Sequence, residues 1–427
     1  MTDTGPIDET RFSEAVRDPV WGNIWLTPGL REITRSEPFL RLHRIRQLGP
    51  TELVYPGATH TRASHSLGVY HVAHRALGAL LARGASAWVT EEGCYSFLAA
   101  ALLHDLGHFP FTHSLKDLPL EDHETLTARA ILTEPLASLV AGCGADPETA
   151  AAIVDKEGTL PARRKHEIAF FRKILSGVLD PDKLDYLNRD AYFCGVPYGI
   201  QDTDFILSSV IPDPERGITV DRKSLMAIES VLFSKYLMYR SVYWHPRVRI
   251  ATAMMKKAIF AALSGKLLEP ETLYSQDDTG IHALIDSLEY PERSLAADMR
   301  AKRFFRVVSE VSFDVASPGI RTLEDLATRA KAEARFARFL SDELSQEVRP
   351  ADVLIDIPEC ISFESDLYIR DEGVSFNESS TVFSRDVVSR FTSSLRMVRY
   401  ACHPRIAARI AEAPALAEKL AKWTPVG

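Results

Sequence analysis

The chain has 427 residues, of which 46% are apolar and 25% are charged, the composition of a globular protein with ample material for a hydrophobic core. A formal net charge of −8 excludes a broadly basic surface, so nucleic acid is not an expected partner. The five cysteines are scattered without CxxC spacing, which excludes a zinc ribbon and predicts reduced thiols. The polar start MTDTGPIDETRF and apolar runs well short of ~20 residues predict a cytoplasmic protein that does not contact a membrane.

In chain order, the first predicted element is a small hairpin near residues 18–27, where DPVWGNIWLT alternates in a strand-like way. Helical periodicity dominates residues 35–265, with helices predicted over 66–83, 95–106, 181–192, 223–243 and 247–264. Gly107 follows the second of these helices, while Asp180-Pro181 begins the third and Gly195 ends it. Pro246 predicts a bend or a break between the last two, because proline lacks a backbone donor.

The character of the sequence changes after about residue 266. A charged helix predicted over 323–347 is followed by the strand-like segments VLIDIP, DLYIRDEGVSF and SLRMVRYACHP. These elements predict a mostly α-helical protein, with a helical domain over residues 1–265 and a smaller α+β lobe over 266–427. The lobe carries no dense group of histidines or acidic residues, so we expect it to serve packing and oligomerisation.

Histidines are concentrated in the segment ALLHDLGHFPFTHSLKDLPLEDHE, which contains His104, His108, His113 and His123. His104 and the adjacent Asp105 stand at the end of an apolar helix, where a buried carboxylate is costly unless it has a partner. A divalent cation would satisfy both side chains. One His-Asp pair is weak evidence, however, and for the pair alone a capped helix end with an ordinary salt bridge is the favoured explanation.

Two further residues strengthen the metal interpretation. His65 stands at the start of a second helix, and Asp182 stands at the start of a third. Three helix ends can therefore deliver four nitrogen and oxygen ligands to one point and leave positions open, as catalytic metals require. Such ligands suit Mn, Fe, Mg, Zn or Co. On the third helix, Asp182, Tyr186 and Asp190 are spaced to share one face.

The order H…HD…D, carried by TRASHSLGV, ALLHDLGHFPFTHS and LDPDKLDYLNRD, resembles the HD-domain phosphohydrolases. The segments DPVWGNI, RIRQLGPTELVYPGATHTRASHSLGV and RSVYWHP narrow the resemblance to the deoxynucleoside triphosphate triphosphohydrolase branch. The resemblance is strong over residues 18–265 and weak in the C-terminal lobe. It implies an HD-domain helical core, a divalent metal with a second Mg²⁺ on the substrate phosphates, a nucleotide substrate, a homo-oligomer and an allosteric nucleotide.

The resemblance also implies roles for individual residues. The residues that match the family's metal ligands are His65, His104, Asp105 and Asp182. Those that match the histidines on the triphosphate and leaving-group side are His108, His113 and His123. Positions that hold phosphates, sugar or base are matched by Gln47, Arg62, Lys183, Tyr186, Asp190 and Tyr243. His60 matches no such position and is expected to be a loop histidine.

Three positions depart from the family pattern. Trp21 stands where the family often has histidine, and Lys235 lies near the place of an arginine. Lys116 replaces the acidic residue that orients a catalytic histidine, and the carboxylates that could compensate are those of Asp117, Glu121 and Asp122. These changes bear on substrate range and rate more than on the metal site.

Three hypotheses follow from the sequence. The first is hydrolysis of deoxynucleoside triphosphates to deoxynucleoside and triphosphate, with His113 as the leading candidate to protonate the departing 5′ oxygen. The second is an HD phosphohydrolase that acts on nucleoside monophosphates, cyclic nucleotides or alarmones, which the Lys116 departure motivates. The third is a nucleotide-sensing protein without catalysis, against which the intact ligand set argues.

Overall fold

The computed structural model describes residues 6–314, 316–361, 366–379 and 381–423. The helices are α1 Pro28–Arg35, α2 Glu37–Leu42, α3 Arg62–Leu81, α4 Glu91–Leu103, α5 His123–Ile131, α6 Leu136–Gly142, α7 Pro147–Val154, α8 Lys165–Leu175, α9 Pro181–Cys194, α10 Thr203–Ser209, α11 Leu225–Met238, α12 Pro246–Ser264, α13 Pro270–Tyr274, α14 Asp278–Asp286, α15 Arg293–Arg300, α16 Pro318–Thr322, α17 Leu326–Leu344, α18 Arg385–Leu395, α19 Pro404–Ala411 and α20 Pro414–Lys422. The strands are β1 Glu14–Asp18, β2 Gly22–Leu26, β3 Ile211–Asp213, β4 Gly217–Val220, β5 Arg306–Ser312, β6 Val353–Asp356, β7 Tyr368–Ile369, β8 Val374–Ser375 and β9 Met397–Cys402.

The centre of the molecule is a group of packed helices in which α3 lies against both α4 and α9. Helix α4 is buried on all sides from Gly93 to Leu103, as its nearly continuous apolar sequence requires. Helix α9 begins with Asp180 as N-cap and Pro181 in its first turn, and it ends at Gly195 in the left-handed conformation. The prediction of a mostly α-helical protein is therefore confirmed.

The helical path is interrupted just before Pro246, as predicted. A π-helical turn over Tyr239–Tyr243 follows α11, and α12 then begins at Pro246, where the missing N–H is harmless. The helix predicted over 95–106 ends earlier, at Leu103, with His104 as its C-cap residue. The His-Asp pair thus lies immediately beyond the helix.

Small sheets flank the helices. Strands β1 and β2 form an antiparallel hairpin, while β5, β9 and β6 form a three-stranded sheet in the C-terminal part. The C-terminal α+β region that the sequence predicted is confirmed. Strand β7 pairs with β4, so the four-stranded sheet β3-β4-β7-β8 joins residues from both sides of position 265. The domain boundary at that position stays a prediction. Among the described residues, no helix is long and apolar enough to cross a membrane.

Candidate metal centre and substrate cleft

Three neighbouring helices bring four of the predicted site residues together. His65 lies in the first turn of α3, His104 and Asp105 follow α4, and Asp182 lies in the first turn of α9. His65 Nε2 is 3.0 Å from Asp182 Oδ1 and 3.8 Å from Asp105 Oδ2. His104 Nε2 is 3.9 Å from Asp182 Oδ1 and 3.4 Å from Asp105 Oδ1. Candidate ligand atoms of His65, His104 and Asp182 all lie within 4.8 Å of one another, close enough to share one cation.

The donor set of this centre fits a divalent metal. His104 Nδ1 lies 3.0 Å from the Ala101 carbonyl, an acceptor, so the ring proton belongs on Nδ1 and the Nε2 lone pair faces the centre. That Nε2 atom is buried, and it has no hydrogen-bond partner within the described part of the chain. Imidazole nitrogens combined with carboxylate oxygens are ligands for Mn, Fe, Zn or Co.

Asp185 lies directly behind His65 and was not singled out from the sequence. Its Oδ2 atom is 2.8 Å from His65 Nδ1, and Arg189 and Trp21 also donate to this carboxylate. Burial by itself lowers the pKa of His65, but hydrogen bonds to Asp182 and Asp185 outweigh burial and raise the pKa to about 10. A carboxylate behind a ligating imidazole is the usual support of a metal-binding histidine.

Asp105 connects the metal centre to a second group of side chains. Its Oδ2 atom accepts a hydrogen bond from Arg62 at 2.5 Å, and its Oδ1 atom lies 3.2 Å from His108 Nδ1. Candidate ligand atoms of Asp105, His108 and His123 also lie within 4.8 Å of one another. Burial alone would raise the pKa of Asp105, but the adjacent His108 and Arg62 hold it well below its usual value.

The three predicted catalytic histidines form one contiguous cluster. His108 Nε2 lies 3.1 Å from His113 Nε2, and the His108 ring centroid lies 4.0 Å from that of His123. His108 is fully buried beneath the other two rings. Desolvation in the cleft, reinforced by the Arg62 guanidinium, holds the pKa of His113 well below its usual value, although the side chain is exposed to the cleft.

Of the three carboxylates considered from the sequence as partners for the histidine cluster, Asp122 is the one that contacts it. Asp122 Oδ1 lies 3.2 Å from His123 Nδ1. The other two carboxylates considered from the sequence are engaged elsewhere, Asp117 with Lys256 and Glu121 with Arg129.

A cleft of about 430 Å³ opens above the metal centre and the histidine cluster. The predicted site residues that line it are Gln47, Arg62, His65, His104, Asp105, His113, His123, Asp182, Tyr186, Asp190 and Tyr243. His108 supports the cleft from below. The face shared by Asp182, Tyr186 and Asp190 thus forms one wall of the cleft, as their spacing on α9 suggested.

Lys183 was expected from the resemblance to contact the substrate, but its side chain lies elsewhere. It does not line the cleft, because its ammonium group donates to the Gly177 carbonyl at 2.9 Å and to the Asp180 carboxylate at 2.6 Å. Asp180 is the N-cap of α9 and is buried, so it needs this nearby cation. The lysine therefore pairs with the buried N-cap carboxylate of α9 instead of lining the cleft.

The far end of the cleft contains a buried carboxylate with two partners. Asp190 Oδ2 accepts a hydrogen bond from Tyr243 Oη at 2.7 Å, and its Oδ1 lies 2.7 Å from His60 Nε2. His60 lies in a loop as expected, but its ring is buried and stacks on Phe193 at 4.6 Å. His60 and Asp190 are 130 residues apart, and no sequence spacing indicates such a pair.

The C-terminal part of the chain also reaches the cleft, which the sequence did not indicate. Glu359 of this part lines the cleft next to Arg249 of α12. The Arg249 guanidinium donates to Glu359 at 2.8 Å and to Asp356 at 2.8 Å. Further cations along the wall that were not predicted as site residues are Arg46, Lys116 and Lys156. Five cationic side chains, counting Arg62 and Arg249, therefore line the cleft together with five carboxylates.

Two family models match the chain. The HD domain matches residues 62–167, and the HD associated region matches residues 207–400. The first match contains His65, His104 and Asp105, which stand at the metal centre. The chain belongs to the HD superfamily, a family of metal-dependent phosphohydrolases, and its homologues include members of the deoxynucleoside triphosphate triphosphohydrolase branch.

Several relatives illustrate this membership. An uncharacterised protein of Methanocaldococcus jannaschii is 33% identical over 303 residues, which are 70% of this chain and 60% of that protein. The uncharacterised protein YwfO of Bacillus subtilis is 37% identical over 58% of this chain and 53% of its own length. A deoxynucleoside triphosphate triphosphohydrolase SAMHD1 homolog of Dictyostelium discoideum is 24% identical over 70% of this chain and 61% of its own length. The chain thus spans between half and two thirds of these relatives.

The fold also occurs in solved structures. A phosphohydrolase from Bacteroides thetaiotaomicron superposes with a TM-score of 0.70 at 24% sequence identity, covering 92% of this chain and 100% of that one. At this identity the likeness shows a shared fold.

Proposed function

We propose that this protein hydrolyses deoxynucleoside triphosphates to a deoxynucleoside and inorganic triphosphate. The observation that carries the proposal is that a single cleft of about 430 Å³ is lined by His65, His104 and Asp182 at its base, by a histidine cluster, and by Tyr243 with Asp190. A metal-binding group, a proton donor and a sugar-sized polar end are the three parts that such a substrate requires. The name of the SAMHD1 relative supports the same substrate class.

The metal ligands in this proposal are His65, His104, Asp105 and Asp182. A divalent cation held by them supplies Lewis-acid chemistry at a phosphoryl oxygen. Asp185 orients His65 from behind through the 2.8 Å contact with Nδ1. Arg62 stands beside Asp105, where its guanidinium can neutralise charge that develops on the reacting phosphate.

The reaction would proceed by attack of water on the α-phosphorus. The bond between that phosphorus and the 5′ oxygen breaks, and the 5′ oxygen takes up a proton while triphosphate forms. His113 is the proposed donor, since it is open to the cleft and contacts His108 at 3.1 Å. An anionic phosphate beside His113 raises the low pKa of its imidazole, and this couples protonation to substrate binding.

Asp190 is the proposed acceptor for a sugar hydroxyl. Its two oxygens are fixed by His60 and Tyr243, so the carboxylate cannot turn away from the cleft. The Tyr186 ring lies 6.3 Å from that of Tyr243 and gives this end an apolar surface for a sugar or a base. Gln47 lines the same cleft and is a further candidate for polar contact.

The test is incubation of the purified protein with each of the four deoxynucleoside triphosphates and Mg²⁺ or Mn²⁺, with and without an added activating nucleotide. Products are separated by anion exchange, and Asp105→Ala and His113→Ala serve as variants. We expect triphosphate from the wild-type protein and none from Asp105→Ala. His113→Ala should retain metal and lose activity by about 10²–10⁴-fold.

The alternatives are distinguished by the same assay. If no deoxynucleoside triphosphate yields triphosphate, the proposal is wrong, and a panel of nucleoside monophosphates, cyclic nucleotides and alarmones identifies the substrate. Metal content without turnover on any nucleotide would instead indicate a sensing protein. The resemblance also implies a homo-oligomer, which size-exclusion chromatography with and without the activating nucleotide tests.

A further inference from the structure

The DPVWGN segment forms the turn of the N-terminal hairpin, and two of its side chains, Asp18 and Trp21, contact α9. Asp18 is buried, and its Oδ1 atom accepts hydrogen bonds from the backbone N–H groups of Val20 and Trp21, both at 2.9 Å. Its Oδ2 atom accepts from Arg189 Nη1 at 2.8 Å. The turn is therefore fixed both internally and to α9.

Arg189 and Trp21 meet on one buried carboxylate. Arg189 donates to Asp185 through Nε at 2.8 Å and through Nη2 at 3.0 Å, and Trp21 Nε1 donates to Asp185 Oδ1 at 2.5 Å. Asp185 is completely buried, so it stays ionised only because these donors surround it. Its Oδ2 atom is also 2.8 Å from His65 Nδ1.

This arrangement fixes the orientation of His65. An acceptor at Nδ1 places the ring N–H on that side and directs Nε2 towards Asp182, 3.0 Å away. The room for Asp185 is provided by Gly68, one turn after His65 on α3. A Cβ atom at Gly68 would lie 1.8 Å from Asp185 Oδ1 and 2.4 Å from Arg189 Nη2, so any side chain there would displace the carboxylate.

We propose that Trp21 is a positioning residue for the metal centre. The indole N–H holds Asp185, and Asp185 holds His65 with Nε2 facing Asp182 and His104. The hairpin turn thereby sets metal affinity although it contributes no ligand.

The test measures Mn²⁺ binding and needs no substrate, so its result is independent of the proposed activity. Protein freed of metal by chelation is titrated with Mn²⁺, and the free ion is followed by its electron paramagnetic resonance signal. The variants are Trp21→Phe, which removes the donor, and Trp21→His, which restores one. Trp25→Phe is the matched control, since this second hairpin tryptophan is 44% exposed on the outer face.

We expect Trp21→Phe to weaken Mn²⁺ binding about 10–100-fold, as for other partners of ligating histidines. Trp21→His should recover most of the affinity, and Trp25→Phe should bind as the wild type does. Mn²⁺ affinity of folded Trp21→Phe equal to that of the wild type overturns the proposal, and so does an equal loss in Trp25→Phe. Circular dichroism establishes that each variant is folded.

If Trp21→Phe does not fold, Gly68→Ala tests the proposal instead, because its Cβ would displace the same carboxylate and alanine is favourable in a helix. Weaker Mn²⁺ binding by folded Gly68→Ala supports the proposal. Unchanged binding overturns it, because the position of Asp185 would then not matter for the metal.

Discussion

The Arg62 guanidinium donates to Asp105 Oδ2 at 2.5 Å, and both side chains are almost completely buried. A residue predicted to bind phosphate is therefore paired with a residue predicted to bind metal. Each partner compensates a charge that would otherwise be buried alone. A cation that approaches Asp105 and a phosphate that approaches Arg62 would take over these two roles.

The first prediction concerns stability without metal. Arg62→Ala should lower the free energy of unfolding of the chelated protein by about 3–5 kcal/mol, because it leaves the buried Asp105 charge without its guanidinium. Mn²⁺ should reduce the difference, since the cation supplies positive charge at the same carboxylate. Urea unfolding of chelated and Mn²⁺-loaded proteins measures both effects. Arg44→Ala, which removes an exposed pair with Asp277, should show a smaller loss. Equal losses in the two variants would contradict the prediction.

The second prediction concerns Lys116. The other cations that line the cleft each face a carboxylate: Arg46 with Glu52, Arg62 with Asp105, Lys156 with Glu124, and Arg249 with Glu359. The Lys116 ammonium group has no hydrogen bond or ion pair with the part of the chain that the structure describes. It is therefore available for a substrate phosphate. Lys116→Ala should raise KM for a deoxynucleoside triphosphate about 10-fold or more. It should change KM much less for bis(p-nitrophenyl) phosphate.

The Lys116 comparison has a matched control in Lys116→Arg, which keeps the charge and should keep KM near its wild-type value. Steady-state kinetics on both substrates separates KM from kcat. If KM for the triphosphate is the same in Lys116→Ala and in the wild type, Lys116 does not contact the substrate.

The third prediction concerns Asp190 as the acceptor of a sugar hydroxyl. Asp190→Asn should lower kcat/KM for a deoxynucleoside triphosphate by about 10–100-fold, because a hydrogen bond to a charged acceptor is lost. It should have little effect on a 2′,3′-dideoxynucleoside triphosphate, which lacks the 3′ hydroxyl. Asp204→Asn, at an exposed carboxylate paired with Arg75, is the control. An equal loss on both nucleotides would show that Asp190 acts on structure rather than on the sugar.

The fourth prediction concerns pH in the chelated protein. The pKa of His65 is raised to about 10 from its ordinary value of 6.5. A raised histidine pKa contributes stability that is fully present below pH 6.5 and is lost as the pH rises through about 10. Urea midpoints should therefore fall over this interval in the wild type and fall less in His65→Gln. Mn²⁺ should flatten the dependence, because a ligating imidazole carries no proton at its metal-bound nitrogen. A midpoint of the chelated wild type that does not fall more than that of His65→Gln would contradict the prediction.

The sequence indicated the helices that carry the centre because their signals are local. Asp180-Pro181 and Gly195 marked the ends of α9, and the spacing of Asp182 and Asp190 placed both on one face. The burial of α4 followed from its apolar composition. Such features depend on residues a few positions apart, which the printed order shows directly.

The residues that hold the site side chains in place could not be found from such local patterns. Trp21 and Asp185 are 164 residues apart, and His60 and Asp190 are 130 residues apart. A tryptophan or a histidine in a loop gives no sign of the carboxylate that it will meet. Lys183 was correctly predicted to lie on α9, but its side chain pairs with the buried Asp180 and does not line the cleft.

By itself, the sequence determined that this is a mostly helical protein of the HD superfamily, with a His, His-Asp and Asp group at the ends of three helices. Only the tertiary structure decided which side chains contact this group, where the C-terminal part meets the cleft, and which cations line it. The physical reason is that a buried charge must be compensated by whatever partner the packing brings near it. Packing joins residues that are distant in the chain, whereas periodicity and capping act between neighbours.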